Sequence, residues 1–187
     1  GVGVGFINFF VFVIIAVFIA GQMIGRTPDF LGKKIEAKEI KIAAIVAILH
    51  PLLILAGTGL TSYLIVQNAD LAWLNNPSFH GFSEMLYENT SAAANNGSGF
   101  EGLGDNTSLW NILTGIIMLL GRFLPIIGPL AIVGALAVKK PVPITAGSLK
   151  AESPAFGAVL ISVILIIAAL AFFPALALGP LAEYFTL

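Results

Sequence analysis

Four long apolar runs dominate the chain, separated by three polar stretches. They cover about Phe6 to Ile24, Ile42 to Val66, Leu109 to Val138 and Ala155 to Leu178. A helix rising 1.5 Å per residue needs about 20 apolar residues to cross a bilayer, and each run is of that order. Buried helices of a soluble protein are the alternative. Four such runs with so little polar surface between them would leave nothing to face water. The pattern predicts an all-α integral membrane protein with four transmembrane helices.

The stretch between the second and third runs holds a further element. About 42 residues separate them, Gln67 to Ser108, too many for a plain turn. Within it, Phe82 to Ala94 (FSEMLYENTSAAA) reads as a helix of about 13 residues, roughly 20 Å long. Such a helix reaches only part-way across a hydrocarbon core of about 30 Å. Asn95 to Gly99 follows and is too rich in Gly and Asn to continue it. At about 3.3 Å per residue, an extended segment of that length could climb back toward the surface it came from. A short helix inward and an extended limb outward make a re-entrant pore loop. A solvated linker remains the alternative from spacing alone.

Composition sharpens the membrane reading. Of the 187 residues, 58% are hydrophobic and 10% charged, with a mean hydropathy of +0.98, whereas soluble domains carry about a quarter charged residues. Net charge is −1, which argues against nucleic-acid binding, since that needs a basic field. Cysteine is absent, excluding a disulfide framework or thiolate metal site. The chain opens on Gly1-Val2-Gly3-Val4-Gly5 without a basic n-region or an initiator Met. It is expected to be a piece of a longer protein, with no cleavable signal peptide.

Charge placement orients the spans. Eight of the nine basic residues fall in two loops: Arg26, Lys33, Lys34, Lys38 and Lys41 in one, Lys139, Lys140 and Lys150 in the other. The long stretch between them carries Asp70, Glu84, Glu88, Glu101 and Asp105, without Lys or Arg. The positive-inside rule assigns the two basic loops to the cytoplasm, which puts the pore loop and the C-terminus outside.

Extended backbone free of bulky side chains is what a potassium filter needs, because its carbonyl oxygens replace the ion's hydration shell. Asn96-Gly97-Ser98-Gly99 supplies it, glycine permitting torsions that aim successive carbonyls at one axis. Asn95 and Asn96 are either braces for the loop or turn residues. Arg122 lies about 13 residues into the third run, roughly 20 Å from its outer end. An intramembrane arginine is costly and faces a cavity or a partner. Below the loop it would act as an electrostatic barrier to a cation, or else anchor an adjacent loop. Gly121, Pro125, Gly128 and Pro129 predict a bent or interrupted third helix. Gly1, Gly3 and Gly5 fit a broken-helix segment or a close-packing face.

His50, before Pro51, reads as a packed, kinked site rather than a proton relay. His80 and Glu84 fall near the start of the short helix, where Glu84 suits the positive end of its dipole. Two distant histidines give no metal signature. There is no P-loop, no phosphorylatable Asp motif and no nucleophile with a matching base, so catalysis within the chain is not expected.

These residues resemble a known family. VFIAGQMIGRTPDFLGKKIEAKEIK (Val17 to Lys41), HGFSEMLY (His80 to Tyr87), SAAANNGSGF (Ser91 to Phe100), LLGRF (Leu119 to Phe123) and FFPALALGPLAEY (Phe172 to Tyr184) look like the C-terminal third of the potassium-binding (A) subunit of Kdp-type potassium-transporting ATPases. The resemblance covers essentially the whole chain, and Gly25 to Lys34 is its most specific part.

That resemblance implies four M1–pore-helix–M2 repeats building one selectivity filter. Residues 1–41 would end the third repeat, 42–140 would form the fourth, and 141–187 would hold a cytoplasmic loop and the final helix. It further implies that Asn95, Asn96, Gly97, Ser98 and Gly99 are one filter quarter, with potassium at Asn96, Gly97 and Ser98. Gly1, Gly3 and Gly5 would fall in a gating loop, and Arg122 would lie beneath the filter. The implied partners are an ATP-hydrolysing P-type subunit, small accessory subunits and lipid, in the inner membrane of a prokaryote. Potassium would be bound and transported, with no organic cofactor and no nucleic acid. Two positions depart from the family pattern. Ala94-Asn95-Asn96 stands where three asparagines are common, and Gly99 where alanine is. One filter quarter cannot enclose an ion, so this chain alone is not expected to conduct. A secondary cation transporter without ATPase coupling, or a fragment or scaffold of one, is the rival reading. It would use an inverted repeat, which the spans do not form.

Overall fold

The computed structural model describes residues 4–68, 73–143 and 153–186. Among them, five helices and one hairpin follow in chain order: α1 (Val4–Met23), β1 (Asp29–Phe30), β2 (Lys33–Lys34), α2 (Ala37–Asn68), α3 (Phe79–Ala94), α4 (Ser108–Ala137) and α5 (Pro154–Tyr184). Four of the helices, α1, α2, α4 and α5, are long and apolar enough to cross a membrane, as the four runs predict. The short helix begins earlier than expected, at Phe79.

The helices make up the fold, as the all-α reading expects. Between α1 and α2 lies one small addition, the β1–β2 hairpin, in which Asp29 pairs with Lys34 and Phe30 with Lys33. Its turn residues Leu31 (φ 51°) and Gly32 (φ 71°) both have positive φ, the backbone of a two-residue primed turn. Of the bend or interruption expected near Gly121 to Pro129, the interruption does not occur: α4 continues through Pro125 and Pro129.

The chain forms two compact units. One comprises Val2–Ile48 and Leu124–Ala168. Its core joins Val11 and Ile14 of α1, Ala43 and Val46 of α2, Ile132 of α4 and Leu160 of α5. Its polar edge is closed by Lys139, whose Nζ donates to Glu39 Oε2 at 2.7 Å and to the Lys34 carbonyl at 3.0 Å. The same ammonium pairs with Glu36 at 3.1 Å. Lys33 donates in return to the Lys139 carbonyl, and the Val142 amide to the Gly32 carbonyl at 2.7 Å.

Burial works against the Lys139 charge, but the hydrogen bonds it donates to Glu39 and Glu36 outweigh it and raise its pKa. The Lys139 hydrogen bond and charge, then Lys34, hold Glu36 below the usual carboxylate range. A depressed carboxylate pKa stabilises at pH above its unfolded value and ceases to as pH falls through the folded one; a raised lysine pKa fails only at high pH. The clasp should therefore hold through neutrality. Glu39 is 1% exposed, so Lys139→Ala would strand a buried carboxylate, at a cost of about 3 kcal/mol. A lower unfolding midpoint of the solubilised protein is the expected result.

The other unit comprises Leu49–Phe123 and Ala169–Leu187 and is built around α3. Ile54 of α2, Ile117 of α4 and Ala175 of α5 pack on Leu86, Ala92 and Ala93. Each of these three long helices meets α3 at a glycine. A Cβ on Gly121 would lie 2.6 Å from the Ala93 carbonyl oxygen, and one on Gly179 2.9 Å from Ser83 Oγ. One on Gly57 would run into Asn89 Oδ1. The small side chains of Ala92 and Ala93 at the end of α3 serve the same close approach.

Candidate functional site

The site grows from the two ends of α3. At its start, Glu84 does not act as a simple dipole partner. It is 1% exposed and accepts the Asn75 and Asn76 amides at 3.0 and 2.7 Å, with Asn76 Nδ2 at 2.9 Å. The carboxylate thereby pins the chain entering α3. His80 faces Glu183 at 3.1 Å, fastening the start of α3 to the end of α5.

At its end, α3 stops because Asn95 adopts the left-handed conformation (φ 55°, ψ 34°), which Asn tolerates better than most residues. Asn95 is both turn residue and brace. Its Nδ2 donates to the carbonyls of Ala92, Ala93 and Met118 at 3.2, 3.2 and 3.1 Å. Its Oδ1 accepts from Arg122 Nε at 3.1 Å. The guanidinium thus lies at the C-terminal, negative end of α3, where a cation is favoured.

Asn96 to Phe100 then returns alongside α3. Asn96 Oδ1 accepts from the Ser98 amide at 2.9 Å and from Ser91 Oγ at 2.7 Å. Ser91 Oγ also lies against the Ser98 carbonyl. Tyr87 and Ser98 share a hydroxyl bond at 3.0 Å, and the Phe100 amide donates to Glu88 Oε2 at 3.1 Å. The rings of Tyr87 and Phe100 meet edge to face at 5.7 Å.

Gly97 has φ +80°, and a Cβ there would meet nothing within 4 Å. Its torsion, not crowding, calls for glycine. Among the described residues, the Asn96 and Gly97 carbonyls accept no hydrogen bond from the protein, whereas the Ser98 carbonyl is engaged by Ser91. Backbone carbonyls are obligatory acceptors, so these two are available to a ligand or to water. No group of three or more metal-ligating side chains occurs among the described residues.

His50 has a structural explanation. Pro125, lacking an N–H, leaves the carbonyl four residues earlier, that of Gly121, without its helical donor. His50 Nε2 stands 2.9 Å from that carbonyl and supplies a proton, which fixes the tautomer. Of the glycines assigned to gating, Gly1 and Gly3 lie outside the described residues, and Gly5 lies in α1. Sequence reasoning passed over Tyr87, Glu88 and Ser91. Tyr87 and Glu88 stand four and three residues before Ser91, which makes each its neighbour on the surface of α3.

A family model described as potassium-transporting ATPase A subunit matches residues 1–185. The potassium-transporting ATPase potassium-binding subunit of Flavobacterium psychrophilum is 65% identical over 196 aligned positions, covering all of this chain and 34% of that protein. Those of Phocaeicola vulgatus and Geobacillus kaustophilus are 58% and 52% identical, again over the whole chain. The chain spans about a third of the length of these curated relatives. With a family model matching nearly end to end and relatives identical at half or more of their aligned positions, the chain belongs to the potassium-transporting ATPase A subunit family.

Proposed function

We propose that this chain supplies one wall of a potassium pathway, non-catalytic in itself, within an ATP-driven uptake complex of a prokaryotic inner membrane. The observation that carries the reading is the limb Asn96 to Ser98, with a positive-φ glycine at its centre and the Asn96 and Gly97 carbonyls free of protein donors. In this reading α3 is a re-entrant pore helix and Asn95 to Gly99 a filter quarter. Asn96 and Gly97 contribute the principal oxygens, and Ser98 the one lone pair that Ser91 leaves. Residues 42–140 make up the pore repeat, between the end of a preceding repeat (1–41) and a final helix (141–187). Gly1, Gly3 and Gly5 belong to a gating loop on the resemblance alone. The names of the relatives support potassium as cargo. ATP hydrolysis falls to a separate P-type subunit, and the C-terminus faces outward by the positive-inside rule.

Arg122 unites the two roles that the sequence leaves open. Tethered to Asn95, it places a fixed positive charge at the same helix end that would attract a potassium ion,. An ion passing that point meets repulsion that falls off with distance and screening, which makes the arginine both anchor and barrier.

The test is ATP hydrolysis by the complete complex across the alkali cations. Potassium should give half-maximal stimulation at the lowest concentration; equal stimulation by sodium and lithium would overturn the reading. In the same assay, Arg122→Gln should loosen the link between ions moved and ATP consumed. Unchanged coupling would leave Arg122 an anchor only.

A further inference from the structure

The returning limb is held by three side chains of α3, and Glu88 is the one whose chemistry the loop's geometry leaves unexplained. It lies on a helix that needs no acid there, is 8% exposed, and accepts one backbone proton, from Phe100 at 3.1 Å. A buried carboxylate is costly unless it is hydrogen-bonded, so its presence calls for a return. The return visible in the structure is the position of Phe100, the residue that closes the limb.

Gly99 points the same way. A Cβ there would lie 3.2 Å from Glu88 Oε2 and 3.7 Å from Asp105 Oδ2. A glycine thus gives the carboxylate room to lie flat against the limb. Tyr87 adds a hydroxyl bond to Ser98 and a ring contact to Phe100, while Ser91 reaches Asn96 and Ser98. Ser91 and Tyr87 hold the limb as far as Ser98, and Glu88 holds Phe100, with Gly99 alone between the two anchors. Glu88 thereby limits how far Ser98, and with it the Asn96 and Gly97 carbonyls, can shift.

We propose that Glu88 is a positioning residue for ion selection: by holding the Phe100 amide, it sets the span across which the Asn96 and Gly97 carbonyls are presented. The inference rests on the filter reading given above. It requires an acceptor at this position rather than a charge, because the geometry runs through a single N–H···O bond.

The experiment compares Glu88→Ala and Glu88→Gln in the complete complex, by potassium-stimulated ATP hydrolysis and by discrimination against sodium. Losing one buried hydrogen bond of ordinary strength should raise the half-maximal potassium concentration by up to about tenfold. The maximal rate should be nearly unchanged, and sodium discrimination should fall. Glu88→Gln keeps an acceptor for the Phe100 amide and should stay within about threefold of the unaltered complex. Equal damage from both variants, or an unchanged potassium requirement in Glu88→Ala, would overturn the proposal. So would a fall in maximal rate with the potassium requirement unmoved. Should Glu88→Ala fail to assemble, Glu88→Asp, one methylene short of the amide, makes the same comparison. Gly97→Asp run in parallel separates the two claims. If it alters affinity while Glu88→Ala does not, only the positioning role falls; if neither does, the filter reading falls with it.

Discussion

Replacing Gly121 by leucine is expected to remove most of the assembled complex recovered after solubilisation. The reason lies in what the new side chain would meet. Its Cβ alone would stand 2.6 Å from the Ala93 carbonyl oxygen and 3.3 Å from the Ala93 carbonyl carbon and Cα. These are backbone atoms at the end of α3, and they cannot rotate aside as a side chain could. Overpacking a well-filled core costs about 1–3 kcal/mol, and a clash with fixed backbone belongs at or above the top of that range. Gly121 also presents the carbonyl that His50 satisfies, so displacing α4 would strand a polar pair in an apolar setting. Gly115→Leu, earlier on the same helix and with nothing within 4 Å of its Cβ, should be tolerated far better. Equal recovery of the two variants would mean that α4 does not need this approach to α3.

Gly97→Asp should show the opposite profile, with normal assembly and ruined ion affinity. A Cβ at Gly97 has no neighbour within 4 Å, so nothing clashes. The residue nonetheless holds φ +80°, and an L side chain in left-handed backbone costs about 1–2 kcal/mol. The loop can shed that cost only by turning its peptides, which moves the carbonyls of Asn96 and Gly97. Strain of that size alone corresponds to about tenfold in affinity, and a carboxylate beside the carbonyls changes the local field further. The half-maximal potassium concentration for ATP hydrolysis should rise by at least about tenfold, with the amount of assembled complex unchanged. An unaltered requirement would remove Gly97 from the ion's path.

Much of this arrangement was legible in the sequence, because membrane burial imposes a single coarse rule. With no water in the hydrocarbon core, backbone polar groups must be satisfied within the segment, so apolar run length reports the spans directly. The short helix and its Gly-rich exit were legible for a related reason, since α3 was too short to cross and Asn95 to Gly99 could not extend it. The β1–β2 hairpin was not, because its turn places Leu31 at φ 51°, where glycine or asparagine would be the readable signal. Arg122 was visible as an anomaly, but its partner Asn95 was not, since a side-chain bond across 27 positions leaves no trace in local pattern. His50 could have been traced from Pro125, by asking which carbonyl the proline leaves unpaired. Glu88 and Ser91 were hidden because polar residues on one face of a short helix read the same whether they meet water or a returning limb.

In the proposed function, backbone oxygens of Asn96 to Ser98 contact the transported ion. The most direct measurement is anomalous scattering from thallium(I), a heavy substitute for potassium, in crystals of the complete complex. An anomalous peak is expected against the Asn96 and Gly97 carbonyls, weakening as potassium is added in competition. Thallium bound elsewhere in the complex, with none along this limb, would contradict it.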